Sequence, residues 1–292
     1  MGDISKGGAL NLNMKSFVKA NNVDEIVKYK SELGNKARII AGGTDLMVRV
    51  NNCQEKPECF LYIGEAGLNY IREEENDIVI GSATTLTELL NSELISKNLP
   101  MLKTAVSKMA SVAVRNMATI GGNICNASPA ADTAVPLLTL NARLKLLSSK
   151  GERVVNISEF FKGPGKVSLN EDEFLKEIIV PKQGNAKWAY RKLGRRKADT
   201  LSVVSGGVLM ELENGLCKDV RIALGAVGPT PVLAVKTSDI LRGKKVDQAL
   251  IEEAANKVVE EISPIDDQRC SKWYRNRASK AILKDLLGQV LN

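Results

Sequence analysis

The chain has 292 residues and no histidine, and its 41 lysines and arginines exceed its 34 aspartates and glutamates by a formal net charge of +7. Without histidine, it can form neither a Ser-His-Asp nor a Cys-His catalytic unit, and imidazole cannot ligate zinc. The positive charge is mild and spread along the sequence, so it gives little support for nucleic-acid binding. If the chain is an enzyme, a cofactor is expected to carry the chemistry.

The cysteines and the hydropathy exclude further classes of protein. Five cysteines are scattered without a C-x-x-C spacing, which argues against a disulfide framework and against an iron–sulfur ligand set. No stretch approaches the roughly 18 consecutive apolar residues of a membrane span. The start of the chain is polar and glycine-rich, unlike a signal peptide. We therefore predict a cytoplasmic protein.

Composition and periodicity divide the chain into parts. Residues 1–13 are unlike the rest and are interpreted as a leader or an expression remnant, with a first domain at 14–184 and a second at 185–292. The first domain is expected to have subdomains at about 14–66 and 67–184. Apolar periodicity predicts these elements in chain order: a helix around 23–29, a strand at 37–41, a helix at 44–50, strands at 60–63 and 77–81, helices at 85–90, 101–109 and 134–140, strands at 143–148, 177–181, 188–192, 203–212 and 220–227, and helices at 246–262 and 274–287. The spacing of Thr85 and Glu88 predicts a capping box for the helix that runs through Leu90.

A first glycine pair lies in Ala41-Gly42-Gly43-Thr44-Asp45, between a predicted strand and a predicted helix. Glycines let backbone amides approach an anion, and the start of a helix favours negative charge. The Thr44 hydroxyl can cap the helix or bond a phosphate oxygen. Taken alone, the segment is more typical of a structural turn, since it is neither a Walker A loop nor a G-x-G-x-x-G fingerprint.

A second glycine pair, Gly121-Gly122, lies in the polar but sparsely charged stretch from Thr119 to Asp132, and it is expected to interrupt the chain. The stretch fits two interpretations equally. Its backbone could line a polar, phosphorylated ligand, or it could be a long loop whose asparagine and serine side chains satisfy their own turns.

The two glycine pairs belong to a longer series of motifs that run in a fixed order over residues 14 to about 288. In that order the chain resembles the FAD-binding subunits of the molybdenum hydroxylases, the family of xanthine, nicotinate and carbon monoxide dehydrogenases. The residues that carry the resemblance are Ala41 to Leu46, Arg115-Asn116, Thr119 to Asn123, Tyr190 to Ala198, Ile262 to Asp267 and Tyr274-Arg275.

The resemblance implies an α+β fold: a two-part FAD-binding domain of the PCMH (vanillyl-alcohol-oxidase-like) type, followed by a small α+β C-terminal domain. It implies FAD as cofactor, held non-covalently because no histidine is available for attachment. Molybdopterin and iron–sulfur clusters are expected only in partner subunits, since the chain lacks the cysteine insertion of the benzoyl-CoA-reducing branch. No catalytic side chain and no metal ligand are predicted.

The implied function is that of an oxidoreductase subunit in a heteromeric complex, which could be dimerised. The chain would take electrons from an iron–sulfur subunit and pass them to an acceptor such as NAD, while a molybdopterin subunit oxidises the substrate. Neither nucleic acid nor a membrane span is expected. Two other hypotheses stay open: a self-contained FAD oxidoreductase of the same fold, and a non-enzymatic nucleotide-binding or basic scaffold module.

The family's cofactor contacts carry over by position. The backbone of the two glycine segments would cradle the FAD pyrophosphate from both sides, Asp132 would be an acidic contact, and Ala110 and Leu175 would pack against the cofactor. Lys192 would lie near the flavin with Tyr190 beside it, although Arg191 could occupy that place instead. The predicted contacts are Ile39, Ile40, Ala41, Gly42, Gly43, Thr44, Asp45, Leu46, Ala110, Thr119, Ile120, Gly121, Gly122, Asn123, Asp132, Leu175, Tyr190 and Lys192.

Overall fold

The computed structural model describes residues 16–291, so the segment interpreted as a leader, residues 1–13, lies outside the described residues. Three hydrophobic cores organise this part of the chain. No helix within it combines the length and hydrophobicity needed to cross a membrane. The mixture of sheets and helices confirms the predicted α+β class.

The first core lies under a small parallel sheet whose strand order is β1-β3-β2. Asn22 caps the first helix by accepting a hydrogen bond from the Glu25 amide. Ile26 of that helix is buried in the same core as Leu61. The elements are β1 (Ser16–Lys19), α1 (Val23–Leu33), β2 (Ala37–Ile40), α2 (Leu46–Asn51) and β3 (Cys59–Tyr62).

The second core is built on an antiparallel sheet accompanied by seven short helices. The strands and helices follow as β4 (Ile71–Glu73), β5 (Asp77–Gly81), α3 (Leu86–Asn91), α4 (Glu93–Asn98), α5 (Pro100–Ser107), α6 (Val112–Met117), α7 (Ile120–Asn126), α8 (Ala134–Thr139), β6 (Arg143–Ser148), β7 (Gly151–Asn156), α9 (Ile157–Phe160), β8 (Phe161–Gly163), β9 (Lys166–Val167) and β10 (Phe174–Pro181). The main sheet has the order β4-β5-β10-β6-β7. The predicted capping box is confirmed, because Thr85 and Glu88 bond each other's backbone amides at the start of α3.

The prediction that Gly121-Gly122 interrupts the chain is wrong. Both glycines lie in the first turn of α7, a helix that Thr119 caps. Gly121 lets the helix pack closely, because a Cβ at this position would lie 2.5 Å from the Ser82 carbonyl oxygen. The glycine therefore serves close packing rather than a turn.

The third core lies in a four-stranded antiparallel sheet of order β11-β12-β13-β14, covered on one face by α11 and α12. Its elements are β11 (Lys187–Gly194), β12 (Ser202–Glu213), β13 (Leu216–Gly225), β14 (Val232–Leu233), α10 (Val235–Leu241), α11 (Gln248–Glu261) and α12 (Lys272–Leu291). Asp247 caps α11 by accepting from the Leu250 amide.

Adjacent glycines on β12 let helices approach both faces of this sheet. A Cβ on Gly206 would lie 3.0 Å from Ile282 of α12, whereas one on Gly207 would lie 2.8 Å from the Thr139 hydroxyl of α8. Because side chains alternate across a strand, the two glycines serve opposite faces. The third sheet is thereby sandwiched between its own helix and a helix of the second core.

Candidate functional site

A cleft of about 1420 Å³ runs between the three cores. Small-molecule sites typically enclose about 300–1,000 Å³, so this cleft suits a ligand of dinucleotide size. Its walls include the β2–α2 loop, the stretch from Ala118 to Asp132, the stretch from Lys162 to Leu175, and the loop after β11. The sequence segments with glycine pairs thus meet in one place although about eighty residues separate them.

The first glycine loop presents unpaired backbone donors to the cleft. Gly43 has φ of +68°, a left-handed conformation that glycine adopts without steric cost. The amides of Gly42, Gly43 and Thr44 donate to no acceptor among residues 16–291, although all three residues line the cleft and none is fully exposed. Asp45 takes the cap position of α2 without a side-chain bond, so Thr44 does not cap the helix and its hydroxyl stays available.

The second glycine loop, by which we mean Thr119 to Asn123 at the start of α7, already uses most of its backbone amides in hydrogen bonds within the protein. The Ile120 amide donates to Thr84 O at 3.0 Å and the Gly121 amide to Ser82 O at 2.9 Å. The Gly122 amide donates to the Thr119 hydroxyl oxygen at 3.1 Å. Thr119 itself keeps an amide for which the described chain offers no acceptor. This loop can therefore give a ligand few backbone hydrogen bonds, and it contributes a rigid, closely packed wall to the cleft.

Direct contacts fix the two loops against each other. A Cβ on Gly42 would lie 1.8 Å from the carbonyl oxygen of Met117, so only glycine allows this approach. On the far side, Arg49 of α2 donates to the Asn126 side chain at the end of α7, at 3.0 Å. The spacing of the loops is thus set by backbone packing at one point and a hydrogen bond at another.

Positive side chains predominate along the cleft, which suits a ligand with negative charge. Eight basic residues line it against four acidic ones. The basic residues are Lys30, Arg38, Arg49, Lys162, Lys166, Arg195, Arg196 and Arg269, and the acidic ones are Asp45, Asp132, Glu173 and Asp199.

A buried ion pair lies in the wall where the second and third cores meet. Lys192 Nζ lies 2.6 Å from Asp132 Oδ2, and the two side chains are 5% and 6% exposed. Ser202 donates to the other carboxylate oxygen at 2.5 Å. Burial raises the pKa of Asp132, while Lys192 and Ser202 favour its ionised form. The pair joins the end of the α7–α8 connection to strands β11 and β12.

The alternation of β11 separates Arg191 from Lys192. Lys192 faces inward to Asp132, and Arg191 lies on the opposite face, where it donates to Asp285 of α12 at 2.6 Å. Tyr190 shares the inward face, and burial raises its pKa well above the ordinary value. Of the two cations that the sequence left open, Lys192 is therefore the one directed toward the cleft wall.

Most of the predicted contacts line the cleft, namely Ile39, Ile40, Ala41, Gly42, Gly43, Thr44, Asp45, Leu46, Ala110, Thr119, Gly121, Gly122, Asn123, Asp132 and Leu175. Ile120, Tyr190 and Lys192 lie behind its surface, each in a buried position. Sequence reasoning missed Arg49, although it stands four residues after Asp45 on the same helix face. It also missed the rim arginines Arg195 and Arg269, which come together only through folding.

Fold and cleft together define a protein whose three packed units enclose a cleft suited to a large anionic ligand. Residues 12–183 match the family described as the FAD binding domain in molybdopterin dehydrogenase, and residues 188–290 match the CO dehydrogenase flavoprotein C-terminal domain. The chain belongs to the FAD-binding subunits of the molybdenum hydroxylase family. The predicted family, its two-part fold and its FAD cofactor are confirmed.

Relatives of this chain come from several enzymes. The glyceraldehyde dehydrogenase medium chain of Sulfolobus acidocaldarius is 33% identical, over 94% of this chain and 98% of the relative. The xanthine dehydrogenase FAD-binding subunit of Escherichia coli O157:H7 is 32% identical, over 88% and 89%. Among solved structures, carbon monoxide dehydrogenase from Hydrogenophaga pseudoflava superposes with a TM-score of 0.92 at 29% identity, over 95% of this chain and 97% of the matched chain.

The residues present fit FAD. A pyrophosphate needs hydrogen-bond donors at close range, and the free amides of Gly42, Gly43 and Thr44 supply them without side chains in the way. The Asn123 side chain is oriented by the Thr133 hydroxyl, which donates to its oxygen at 2.5 Å and leaves its amide nitrogen as a donor. No group of ligands that could hold a metal ion occurs within residues 16–291.

Proposed function

We propose that this chain is the electron-transfer subunit of a molybdenum-containing dehydrogenase, in which it takes electrons from an iron–sulfur subunit and delivers them to an acceptor such as NAD. Bound FAD would supply the redox chemistry, because a flavin accepts electrons singly and releases them in pairs. The observation that carries the proposal is the cleft with free amides on the first glycine loop and a rigid second loop opposite.

The chain's own residues would bind and orient the cofactor. The amides of Gly42, Gly43 and Thr44 would hold the pyrophosphate, with Arg49 nearby as a counter-charge. Ala110 and Leu175 would pack on the cofactor, and the remaining predicted contacts would complete the cleft wall. Binding is proposed to be non-covalent, and Cys125 supports this: burial raises the pKa of its thiol to about 12, which disfavours the reactive thiolate.

The Asp132–Lys192 pair would hold the cleft wall in place beside the cofactor. Asp132 lines the cleft, whereas the Lys192 ammonium lies behind the wall, 2.6 Å from the carboxylate. A lone cation next to a flavin would favour its anionic reduced form and raise its potential. Because the carboxylate lies nearer to the cleft and compensates the ammonium, the pair would instead position β11 and the α7–α8 connection.

The assembly is proposed to comprise this chain, an iron–sulfur subunit and a molybdopterin subunit, in the cytoplasm. The substrate would be chosen in the molybdopterin subunit. The division into domains at 14–184 and 185–292, with the first split near residue 66, is proposed on the support of three separate hydrophobic cores.

Size-exclusion chromatography of native extract, with flavin absorbance and NADH formation followed across the fractions, tests the proposal. Co-migration of this chain with two other subunits, FAD and NAD-reducing activity is expected. A lone chain with full oxidoreductase activity would instead identify a self-contained flavoenzyme. A chain that holds no flavin even after reconstitution would contradict both.

A further inference from the structure

We infer that Arg115 is a positioning residue for FAD, which it serves by holding Ala110 in the left-handed conformation that shapes the cleft wall. Ala110 has φ of +46°, which an alanine rarely adopts because its Cβ crowds the backbone there. The residue lines the cleft together with Met109 before it. A backbone conformation that is costly for alanine needs an external constraint to persist.

The constraint comes from a single guanidinium nitrogen. Arg115 Nη1 on α6 donates to Met109 O at 2.7 Å and to Ala110 O at 2.8 Å. These two carbonyls belong to the peptide planes on either side of the Ala110 Cα, and the relative orientation of those planes is what φ and ψ of Ala110 describe. One donor that holds both carbonyls on the same side therefore excludes the extended conformation, in which successive carbonyls point apart.

The surroundings show why this turn has consequences beyond its own residues. The preceding carbonyl, Lys108 O, accepts a hydrogen bond from Lys192 Nζ at 3.1 Å. Three successive carbonyls at the end of α5 are thus held by two cations, one from α6 and one from β11. Because α6 leads directly into Thr119 and the second glycine loop, a shift of the Ala110 turn would move both the Ala110 wall and the seat of Lys192.

A double-mutant cycle in the full-length chain tests the inference by measuring the FAD dissociation constant from quenching of flavin fluorescence. Arg115→Gln should weaken FAD binding about tenfold, since hydrogen bonds from a charged donor are among the stronger ones. Arg115→Lys should retain part of the affinity, because an ammonium can still donate to both carbonyls. Ala110→Gly should restore the affinity of Arg115→Gln to within about threefold of wild type, because glycine adopts positive φ without the alanine penalty.

Ala127 supplies the matched control. It is also a left-handed alanine, with φ of +47°, but it is buried at the end of α7, and its carbonyl accepts from the Gly165 amide at 3.1 Å rather than from an arginine. Ala127→Gly should relieve similar strain without restoring FAD affinity to Arg115→Gln. If Arg115→Gln does not fold, Arg115→Lys takes its place in the same cycle.

The inference rests on FAD binding in this cleft, and the outcomes separate the two. Wild-type chain that binds no FAD would contradict the proposed function as well as the role of Arg115. Wild-type binding with unchanged affinity in Arg115→Gln would overturn the inference alone. Weakened binding that Ala110→Gly does not restore, or that Ala127→Gly restores equally, would also overturn it, because Arg115 would then act by another route.

Discussion

The two glycine pairs are the same dipeptide and line the same cleft, but glycine is needed for a different reason in each. Gly42-Gly43 forms a true turn, with one positive φ and with amides for which residues 16–291 offer no acceptor. Gly121-Gly122 lies inside a helix, and its amides are bonded to Ser82 O and to the Thr119 hydroxyl. The first pair leaves donors for an anion, whereas the second removes side chains so that a helix can pack closely. A repeated motif therefore does not imply a repeated function.

Gly42→Ala should have the largest effect, because it attacks the contact between the two loops. Its Cβ would lie 1.8 Å from the Met117 carbonyl oxygen, and backbone on both sides prevents an easy adjustment. We expect a loss of more than about 3 kcal/mol of stability together with loss of FAD, measured by thermal unfolding and flavin absorbance.

Gly288→Ala is the control for this substitution, since no atom of the described chain outside its own helix turn lies within 4 Å of a Cβ built at that helical position. It should be neutral or stabilising by up to about 1 kcal/mol. Normal stability and flavin content in Gly42→Ala would show that the loops are not in the close contact described here.

Gly121→Ala should sharpen the comparison by separating stability from binding. The added methyl group would lie 2.5 Å from Ser82 O, and overpacking of this kind costs about 2 kcal/mol. If the second pair serves packing, the melting temperature should fall while the folded protein keeps its FAD affinity within about threefold. A variant of normal stability with strongly weakened FAD binding would assign the second pair to direct recognition instead.

Acid should lower the stability of the sheet next to Gly121-Gly122, because it protonates Glu177. Burial opposes ionisation of Glu177 on β10, but hydrogen bonds from Arg72, Lys145 and Tyr70 dominate and lower its pKa to about 2, from 4.5. A lowered folded-state pKa gives stability that is present above pH 4.5 and lost as the pH falls toward 2. We expect about 2 kcal/mol, less than the full shift implies, because the exposed Arg72 is screened by solvent.

Chemical denaturation of wild type and Glu177→Gln between pH 3 and pH 7 measures this contribution. The two proteins should differ most near neutral pH and converge in acid. Stability curves that stay parallel at all pH values would show that ionised Glu177 contributes no pH-dependent stability. The Ser82 carbonyl accepts from the Gly121 amide, and the Ser82 amide donates to the carbonyl of Lys176, the neighbour of Glu177. These two hydrogen bonds connect the ion pairs of Glu177 to the second glycine loop.

Gly122→Asp should have a smaller effect, on binding rather than on folding. Its Cβ would meet only the Thr119 hydroxyl, at 2.9 Å, but its charge would face a cofactor that carries a negative pyrophosphate. We expect about tenfold weaker FAD binding than in Gly122→Asn, which has nearly the same size without charge, and the difference should shrink at high salt. Equal affinities in the two variants would place the pyrophosphate away from Gly122.

Local sequence signals predicted most of the elements. The strand Arg143–Ser148 has strict alternation and was predicted with its observed bounds, and the Thr85–Glu88 capping box was predicted from its spacing. Helix α6 was missed because its apolar residues, among them Val112 and Met117, are exposed and show no buried face. A pattern that reports burial cannot find a helix that buries almost nothing of itself.

The site was predicted as a set of residues but not as a mechanism. Sequence order placed the two glycine loops in one site through the family resemblance, and the cleft brings them together. The sequence could not reveal that Gly121 faces Ser82, since that contact joins residues 39 positions apart by way of the sheet. It also left Arg191 and Lys192 undecided, which only the register of β11 against β12 resolves.

Hydrogen–deuterium exchange of the full chain with and without FAD tests the central claim most directly. The amides of Gly42, Gly43 and Thr44 should exchange quickly without FAD and become protected when it binds, because they have no acceptor within the described protein. The amides of Ile120 and Gly121 should already be protected and change little. Strong FAD-dependent protection confined to Ile120 and Gly121, with none at Gly42 to Thr44, would contradict the assignment of anion binding to the first glycine pair.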